Sequence, residues 1–204
     1  MRVPENGQTR RDLYADMTKR EVLRSARKLF GQIGYSQTTV ESIARDAGVS
    51  PATIYAQCGG KEGLLRALMD LWTTSDLVPS TIAECLAAES AHAKLDALAR
   101  GYVAIYAEFG DIIQIVTRAA AASPVAEAYL EVADERQQNA LRDIVTGMRD
   151  AGGLADGITV DEAVQVIFFH FRYPQFALAA DEFGWGAERT TRWLTERVAS
   201  VILR

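Results

Sequence analysis

The sequence predicts an all-α protein in which an N-terminal three-helix helix-turn-helix head is packed on a C-terminal helical bundle, about nine to ten helices in all. Three observations predict it. Apolar residues recur at helical three-and-four spacing from residue 18 onward, and no sustained period-two alternation rich in β-branched residues interrupts them. The prolines, five in 204 residues, stand mostly where helices should begin or break. Hydroxyl residues and glycines fall where helices need starts and stops.

Thr18 to Ile33 reads as the first helix. Val22, Ala26, Leu29, Phe30 and Ile33 share one stripe, while Arg20, Arg24, Arg27 and Lys28 decorate the other faces. Gly34 stops it. Thr38 or Thr39 caps a short second helix ending at Gly48, with Glu41 three residues beyond Thr38 as in a capping box. Ser50 caps a third helix, with Pro51 at its first position, where the missing N–H costs nothing. Gly59 and Gly60 end it, and a fourth helix runs from Lys61 to Trp72, buried through Leu64, Leu68 and Leu71. Asp76 to Ser80, with Pro79, reads as a break before a helical stretch to Ala88. Lys94 to Phe109 is amphipathic; Gly110 ends it and Asp111 caps the next helix, to Ala122. Ser123-Pro124 opens a long helix to Asp150, closed by Gly152-Gly153. Thr159 and Glu162 form a capping box for a helix to Glu182, and Gly184-Trp185-Gly186 separates it from the last helix.

Composition narrows the function classes. Apolar residues at 49% and charged residues at 24% are those of a globular chain and exclude fibrous and disordered classes. No apolar run is long enough to cross a bilayer, and Met1 to Asp16 is polar and lacks a signal-peptide core, so a cytoplasmic protein without membrane contact is expected. Cys58 and Cys85 stand far apart and form neither a disulfide framework nor a metal spacing; no metal and no cofactor is expected. The net charge of −5 is unevenly spread. Residues 1–62 carry ten Lys/Arg against seven Asp/Glu, whereas the remainder is strongly acidic. A basic head on an acidic body points the head alone toward an anion.

The segment Thr39 to Tyr55 carries the informative pattern. Two short helices are joined by Ala47-Gly48-Val49, and Gly48 can take the left-handed conformation that a sharp reversal needs. Ala44 is small, which lets the second helix cross closely, and Ile43, Val49 and Ile54 plug the angle. This is the spacing of a DNA-binding helix-turn-helix, whose second helix enters the major groove.

The stretch from Thr18 to Leu65 resembles the tetracycline-repressor (TetR) family of bacterial regulators. The resemblance rests on Leu29-Phe30 with Gly34-Tyr35, Thr39-Val40 with Ile43-Ala44, Ala47-Gly48-Val49-Ser50, Ile54-Tyr55, and Lys61-Glu62 with Leu64-Leu65, in this order and spacing. It implies that Thr39 offers its hydroxyl and backbone N–H to a phosphate, and that Ser50, Pro51, Ala52 and Thr53 lead the recognition helix toward base edges. Tyr55 and Lys61 would bind phosphates. Where the family often continues with an aromatic or basic residue, histidine and phenylalanine, this chain has Ala56, Gln57 and Cys58. Gln57 still donates to a phosphate. Gly59-Gly60 is expected to loosen the junction with the fourth helix. Ala52 offers a base little beyond contact with a thymine methyl group, so part of any specificity would come from DNA shape.

The resemblance also implies that the remaining helices hold a small-molecule pocket and that the last two build a homodimer. Domain limits of 1–17 (a flexible arm), 18–65 (DNA-binding) and 66–204 (ligand-binding and dimerisation) follow. The stretch Val166 to Phe176 is apolar on nearly all sides and must be covered on nearly all sides; Pro174 should kink it. Pocket candidates are Tyr102, Tyr106, Phe109, Phe169, Arg172 and Tyr173, with Glu108 or Asp111 as carboxylate partner for Arg172. Taken singly, each of those aromatics reads more readily as plain core than as pocket lining. His170 reads as a core histidine rather than a metal ligand. Phe168, Phe176, Trp193, Leu194, Arg197, Val198 and Val201 are the expected dimer contacts.

The expected function is therefore a sequence-specific DNA-binding transcriptional regulator, a homodimer on a near-palindromic double-stranded operator, released by a small-molecule effector. Two alternatives stand beside it: a helical ligand-binding protein with a degenerate head, and a helical enzyme. The sequence offers the enzyme little. Gly60-Lys61 is followed by Glu62 rather than Ser/Thr, and Gly184-Trp185-Gly186 has Arg189 where a dinucleotide fingerprint needs a small residue. Asp134-Glu135 and Asp161-Glu162 are adjacent pairs that read as solvated faces or caps.

Overall fold

A computed structural model describes residues 10–204 and is all-α, with ten helices and no strand among the described residues. They are α1 (Arg10–Ile33), α2 (Val40–Ala47), α3 (Pro51–Cys58), α4 (Gly60–Thr73), α5 (Leu77–Ala87), α6 (Ala91–Ala120), α7 (Pro124–Asp150), α8 (Val160–His170), α9 (Tyr173–Asp181) and α10 (Ala187–Ile202). A single isolated bridge joins Leu154 and Leu203. No described helix is long and apolar enough to cross a membrane.

The helix starts and stops follow the sequence signals closely in the head and less closely beyond it. Thr39 caps α2, but its partner is Ser42, not the Glu41 that Thr38 would have used: Ser42 N donates to Thr39 Oγ1 at 3.1 Å, and Thr39 N donates to Ser42 Oγ at 3.2 Å. Thr38 is instead buried, its hydroxyl donating to the Gly34 carbonyl. Thr159 and Glu162 close the capping box expected for α8. At α5, Pro79 does not break the helix, because it falls in the first turn, where its missing N–H has no intrahelical carbonyl to serve.

Three further boundaries differ from the sequence reading. α1 begins at Arg10, so residues 10–17 are helical rather than a flexible arm; the rest of that arm, 1–9, lies outside the described residues. α6 runs unbroken through Gly110, and Asp111 caps nothing. The glycine serves close packing, since a Cβ there would stand 3.2 Å from the Tyr173 ring. Finally, the Val160–Glu182 stretch is two helices rather than one kinked helix. Arg172 adopts an extended conformation (φ −72°, ψ 149°), and Pro174 sits in the first turn of α9. Proline supplies no N–H to the His170 carbonyl, so nothing carries the helix across residues 171 and 172.

The chain divides into two compact units. The first comprises residues up to Trp72 together with Asp111–Leu130. Its buried side chains come from α1 (Val22, Ala26, Phe30), α2 (Val40, Ile43, Ala44), α3 (Ile54), α4 (Leu64, Leu65, Leu68, Met69) and the end of α6 (Ile112, Ile115, Val116). The second comprises Thr73–Gly110 and Glu131–Arg204. Its core is contiguous, running from Leu95, Leu98 and Tyr102 on α6 through Leu141, Ile144 and Met148 on α7 to Ile167, Phe171, Leu194, Val198 and Ile202.

Candidate nucleic-acid interface

In the first unit α2 and α3 form the angle that the sequence anticipates. Gly48 closes α2 in the left-handed conformation (φ 68°), and Val49 N donates to the Ala44 carbonyl at 3.0 Å. Ile43 and Ile54 are fully buried and Ala44 nearly so, which locks the two helices together. α1 braces the pair from behind, where Lys28 Nζ reaches Asp46 Oδ1 at 2.6 Å. With Ile54 inside, the outer face of α3 carries exposed Pro51, Ala52, Tyr55 and Gln57.

The leading end of α3 is held by its own hydroxyls. Ser50 Oγ accepts from Thr53 N at 3.1 Å and lies 2.8 Å from Thr53 Oγ1. One of these hydroxyls donates to the other, which leaves one O–H free to donate outward. Pro51 has no N–H and the Thr53 N–H is taken by Ser50, so the Ala52 N–H is the donor this end keeps for an anion. Thr39 stands exposed at the start of α2. Tyr55 is more than half exposed, at 59%. Thr39, Ser50, Pro51, Ala52, Thr53, Tyr55 and Gln57 thus lie on α2, α3 and their caps, with the side chains polar or small and mostly open to solvent.

Lys61 departs from its expected place. Its Nζ donates to the Tyr35 carbonyl at 2.9 Å and reaches the Ser36 carbonyl at 3.5 Å, while lying 4.3 Å from the centroid of the Tyr35 ring. The ammonium is spent on the turn after α1, because two carbonyls and a ring face satisfy it there. The α3–α4 junction also corrects the sequence reading. Gly59 caps α3 in the left-handed conformation, and Gly60 (φ 74°) lies against the Tyr55 ring. Gly63 packs directly on the Cys58 carbonyl. These glycines do not loosen the junction; they allow α4 to approach α3 more closely than any side chain would permit. Burial pushes the Cys58 thiol up, with the Lys19 ammonium opposing.

The residues proposed from sequence for a ligand pocket are only partly brought together. In the second unit Tyr102 stacks on Phe171 at 5.1 Å between ring centroids and on Tyr106 at 5.8 Å, and Tyr106 meets Tyr173 and Phe176 at 5.4 and 4.7 Å. Gln137 Nε2 donates to the Tyr102 hydroxyl, and the Tyr106 hydroxyl donates to the Phe171 carbonyl, each at 2.5 Å. Burial pushes the Tyr102 hydroxyl up to about 12, against the lowering effect of Gln137, and raises Tyr106 as well. Arg172 pairs with Asp134 at 2.8 Å and lies over the Phe168 ring at 4.7 Å. Its partner is therefore neither Glu108 nor Asp111; the latter pairs with Arg27. Phe109 is buried further along α6. Phe169 is 64% exposed and points away, into a surface groove of about 370 Å³ bordered by Ile158, Gln165, Val166 and His170. Phe171 and Gln137 are not singled out from sequence, and Asp134, read there as part of a solvated face or cap, is instead the partner of Arg172. The spacing of the two polar residues on α7 (i, i+3) was visible, but the residues they face were not.

The expected subunit contacts split in the same way. Phe176, Leu194 and Val198 are buried in the chain's own core and have no surface left for a second subunit. Phe168 is half-buried beneath Arg172. Trp193, Arg197 and Val201 form the outer stripe of α10 at i, i+4, i+8 and stay exposed. Phe183, Trp185 and Trp193 extend that apolar surface through ring contacts at 5.5 and 5.8 Å.

Comparison with known proteins bears on the first unit above all. Residues 22–68 match the family model of bacterial regulatory proteins of the tetR family. Over 53 residues, 26% of this chain, the sequence is 42% identical to the HTH-type transcriptional regulator BetI of Brucella anthropi. The match spans about a quarter (27%) of that relative's length. Among solved structures, SmeT in complex with triclosan superposes with a TM-score of 0.73 at 16% identity, covering 92% of each chain. A putative transcriptional regulator from Saccharomonospora viridis in complex with choline gives 0.73 at 17% identity, covering 93% of this chain and 99% of that one. At such identities the structural likeness establishes the fold.

Proposed function

We propose that this chain, whose head belongs to the TetR family of bacterial regulatory proteins, is a DNA-binding transcriptional regulator that acts as a homodimer and releases its operator when a small molecule binds. The observation that carries this reading is the α2–α3 angle. A glycine-closed turn and a buried Ile43–Ile54 wedge present an exposed α3 face led by Ser50, Pro51, Ala52 and Thr53.

The chemistry of that face is suited to a duplex. With the N–H groups of Thr39, Ser42 and Thr53 held by their own caps, the Val40, Glu41 and Ala52 N–H groups at the starts of α2 and α3 are the ones offered to phosphates, and Tyr55 and Gln57 add neutral donors. Pro51 and Ala52 give the bases apolar contact and little hydrogen bonding, so discrimination falls largely to DNA shape and to a thymine methyl. Two copies, held through the exposed Trp193–Arg197–Val201 stripe, would set their recognition helices about 34 Å apart on a near-palindromic site, one turn of DNA.

For the effector, the aromatic region around Tyr102, Tyr106, Arg172 and Tyr173 is the proposed receptor, reached by separating rings that now stack on one another. Two of the fold's neighbours hold triclosan and choline, which supports a small organic effector here. α6 contributes its first part to the second unit and its last turns to the first, so a ligand that prefers one α6 position over another would shift DNA affinity by its differential binding energy.

The test is binding of the purified protein to duplexes from its own upstream intergenic region, at two salt concentrations, against shuffled duplexes. Selective binding that weakens steeply with salt is expected. Equal, feeble binding to both, together with failure to enrich any sequence from a random duplex library, would overturn the reading.

A further inference from the structure

The ion pair at the edge of the aromatic region is held unequally by its two halves. Arg172 stands in the break between α8 and α9 with an extended backbone, and its guanidinium lies over the Phe168 ring at 4.7 Å. Backbone and ring together keep it in place. Asp134, on α7, has no hydrogen bond or ion pair among the described residues besides that with Arg172. A carboxylate with a single partner turns to water readily, and the Asp134 side chain is already 30% exposed. The pair therefore opens from the carboxylate's side and leaves a cation beside the rings.

The pair is also incomplete. Arg27 and Arg24 each grip a carboxylate with two nitrogens, Nε and Nη2. Arg172 gives Asp134 its Nη2, 2.8 Å from Oδ2, and neither its Nε nor its Nη1 is hydrogen-bonded among the described residues. Its fork suits a carboxylate taken with two parallel bonds and keeps the nitrogens for one. Tyr102 adds a donor. Its buried hydroxyl accepts from Gln137 Nε2, so its own hydrogen remains to be given. The Tyr106 O–H, by contrast, is taken by the Phe171 carbonyl.

The remaining charges on these stretches leave that balance in place. Glu108 on α6 and Glu131, Glu135 and Arg136 on α7 are exposed, where water and salt screen them. His170, at the end of α8, has Nδ1 2.7 Å from the Val166 carbonyl. The rings select the shape of what enters. Tyr102 stacks on both Tyr106 and Phe171, so a flat apolar group that parts them replaces ring contacts with ring contacts.

We propose that the effector is a flat, apolar organic anion, its carboxylate taken by the Arg172 fork in exchange for Asp134 and its body lodged among the rings of Tyr102, Tyr106 and Phe171. The proposal rests on the reading of this region as the effector site and names the chemistry that the site accepts. Asp134 is then an internal competitor for the guanidinium.

The experiment uses the full chain and three probes that share a naphthalene ring: 2-naphthoate, 2-naphthamide and 2-naphthylmethylammonium. Calorimetric titration of DNA-free protein reads binding, and fluorescence anisotropy of an operator enriched by the chain from random duplexes reads release. The naphthoate should bind about tenfold more tightly than the amide, the worth of a hydrogen bond between charged groups, and the ammonium more weakly than either. Asp134→Asn should strengthen naphthoate binding and leave the amide unchanged, a gain that unfolding cannot imitate. Arg172→Gln should erase the preference for naphthoate over amide, and its retained binding of the amide shows that the variant is folded. A preference for the ammonium that Asp134→Asn abolishes would overturn the proposal in favour of a cationic effector. Equal binding of all three probes, indifferent to both variants, would overturn it as well, and so would binding of none. The expected binding pattern without release of the operator would overturn the effector reading and keep the anion site. The same pattern in a chain that enriches no operator would overturn the DNA-binding reading and likewise keep the site.

Discussion

The ring of Tyr55 lies against the Cα of Gly60, so closely that a Cβ there would stand 2.9 Å from Tyr55 Cε1 and 3.1 Å from Cδ1. Gly60 also holds a left-handed φ of 74°. One residue thus combines two demands that only glycine meets, and together they set the direction of the tyrosine assigned to a phosphate. Gly60→Ala is expected to lower stability by about 1–2 kcal/mol from the backbone alone, with more from displacing the ring. In a Tyr55→Ala background the second part should vanish. Urea unfolding of the two single variants and the double variant checks this; additive losses would show that the ring and the glycine are independent.

Tyr55→Phe removes only the hydroxyl. If that group donates to a phosphate, operator affinity should fall about tenfold, the worth of one hydrogen bond to a charged acceptor. Unfolding should be unchanged, because the ring is retained. A fluorescence-anisotropy titration on the enriched operator reads the first effect, and an unaltered Kd would remove Tyr55 from the interface.

Arg27 and Asp111 form a two-pronged pair, Nε to Oδ2 and Nη2 to Oδ1, both at 2.6 Å. Burial tends to raise the Asp111 carboxyl, but the hydrogen bonds and charge of Arg27 outweigh it, and the group sits below its ordinary value. A depressed carboxyl contributes stability above its unfolded value, near 3.9, and loses it as pH falls through the folded value. Asp111→Asn should therefore cost up to about 1 kcal/mol at neutral pH, a modest figure because the pair is partly solvated. The difference from the unaltered chain should fade below about pH 4. Thermal unfolding of both proteins across pH 3–7 checks the sign; a gap that widens in acid would contradict it.

Phe171 is fully buried, with ring contacts to Tyr102 and Phe176. Phe171→Ala should destabilise the second unit by about 3–5 kcal/mol through lost burial and the cavity left behind. If the aromatic region is the effector site, a small aromatic compound should recover part of the loss in proportion to its concentration. Denaturant unfolding with and without such a compound measures both effects.

Trp193 is the largest exposed member of the outer α10 stripe. Trp193→Glu should weaken the homodimer at least tenfold in sedimentation equilibrium, while Leu194→Ala, one position round, should lower stability instead. The contrast between adjacent residues distinguishes an interface from a core. A chain already monomeric at micromolar concentration would end the dimer proposal.

The sequence by itself determined the helical class, most helix limits, and the α2–turn–α3 angle of the head. It could do so because those features are local. A hydroxyl caps its own helix, Gly48 closes its own turn, and Ile43 and Ile54 lie only eleven positions apart in the chain. Tertiary structure decided what local rules cannot reach. Gly110 reads as a helix end until the Tyr173 ring is seen against it, and Arg172 finds Asp134 rather than the carboxylates on α6. Lys61 turns to the Tyr35 and Ser36 carbonyls, twenty-five or more residues away in sequence. The two faces of α10 are equally apolar in part, and only the folded core shows that Leu194 and Val198 are inside while Trp193 and Val201 are not. In each case the deciding partner lies on another helix or turn. Its identity depends on how close two backbones approach, a distance that no single helix's pattern encodes.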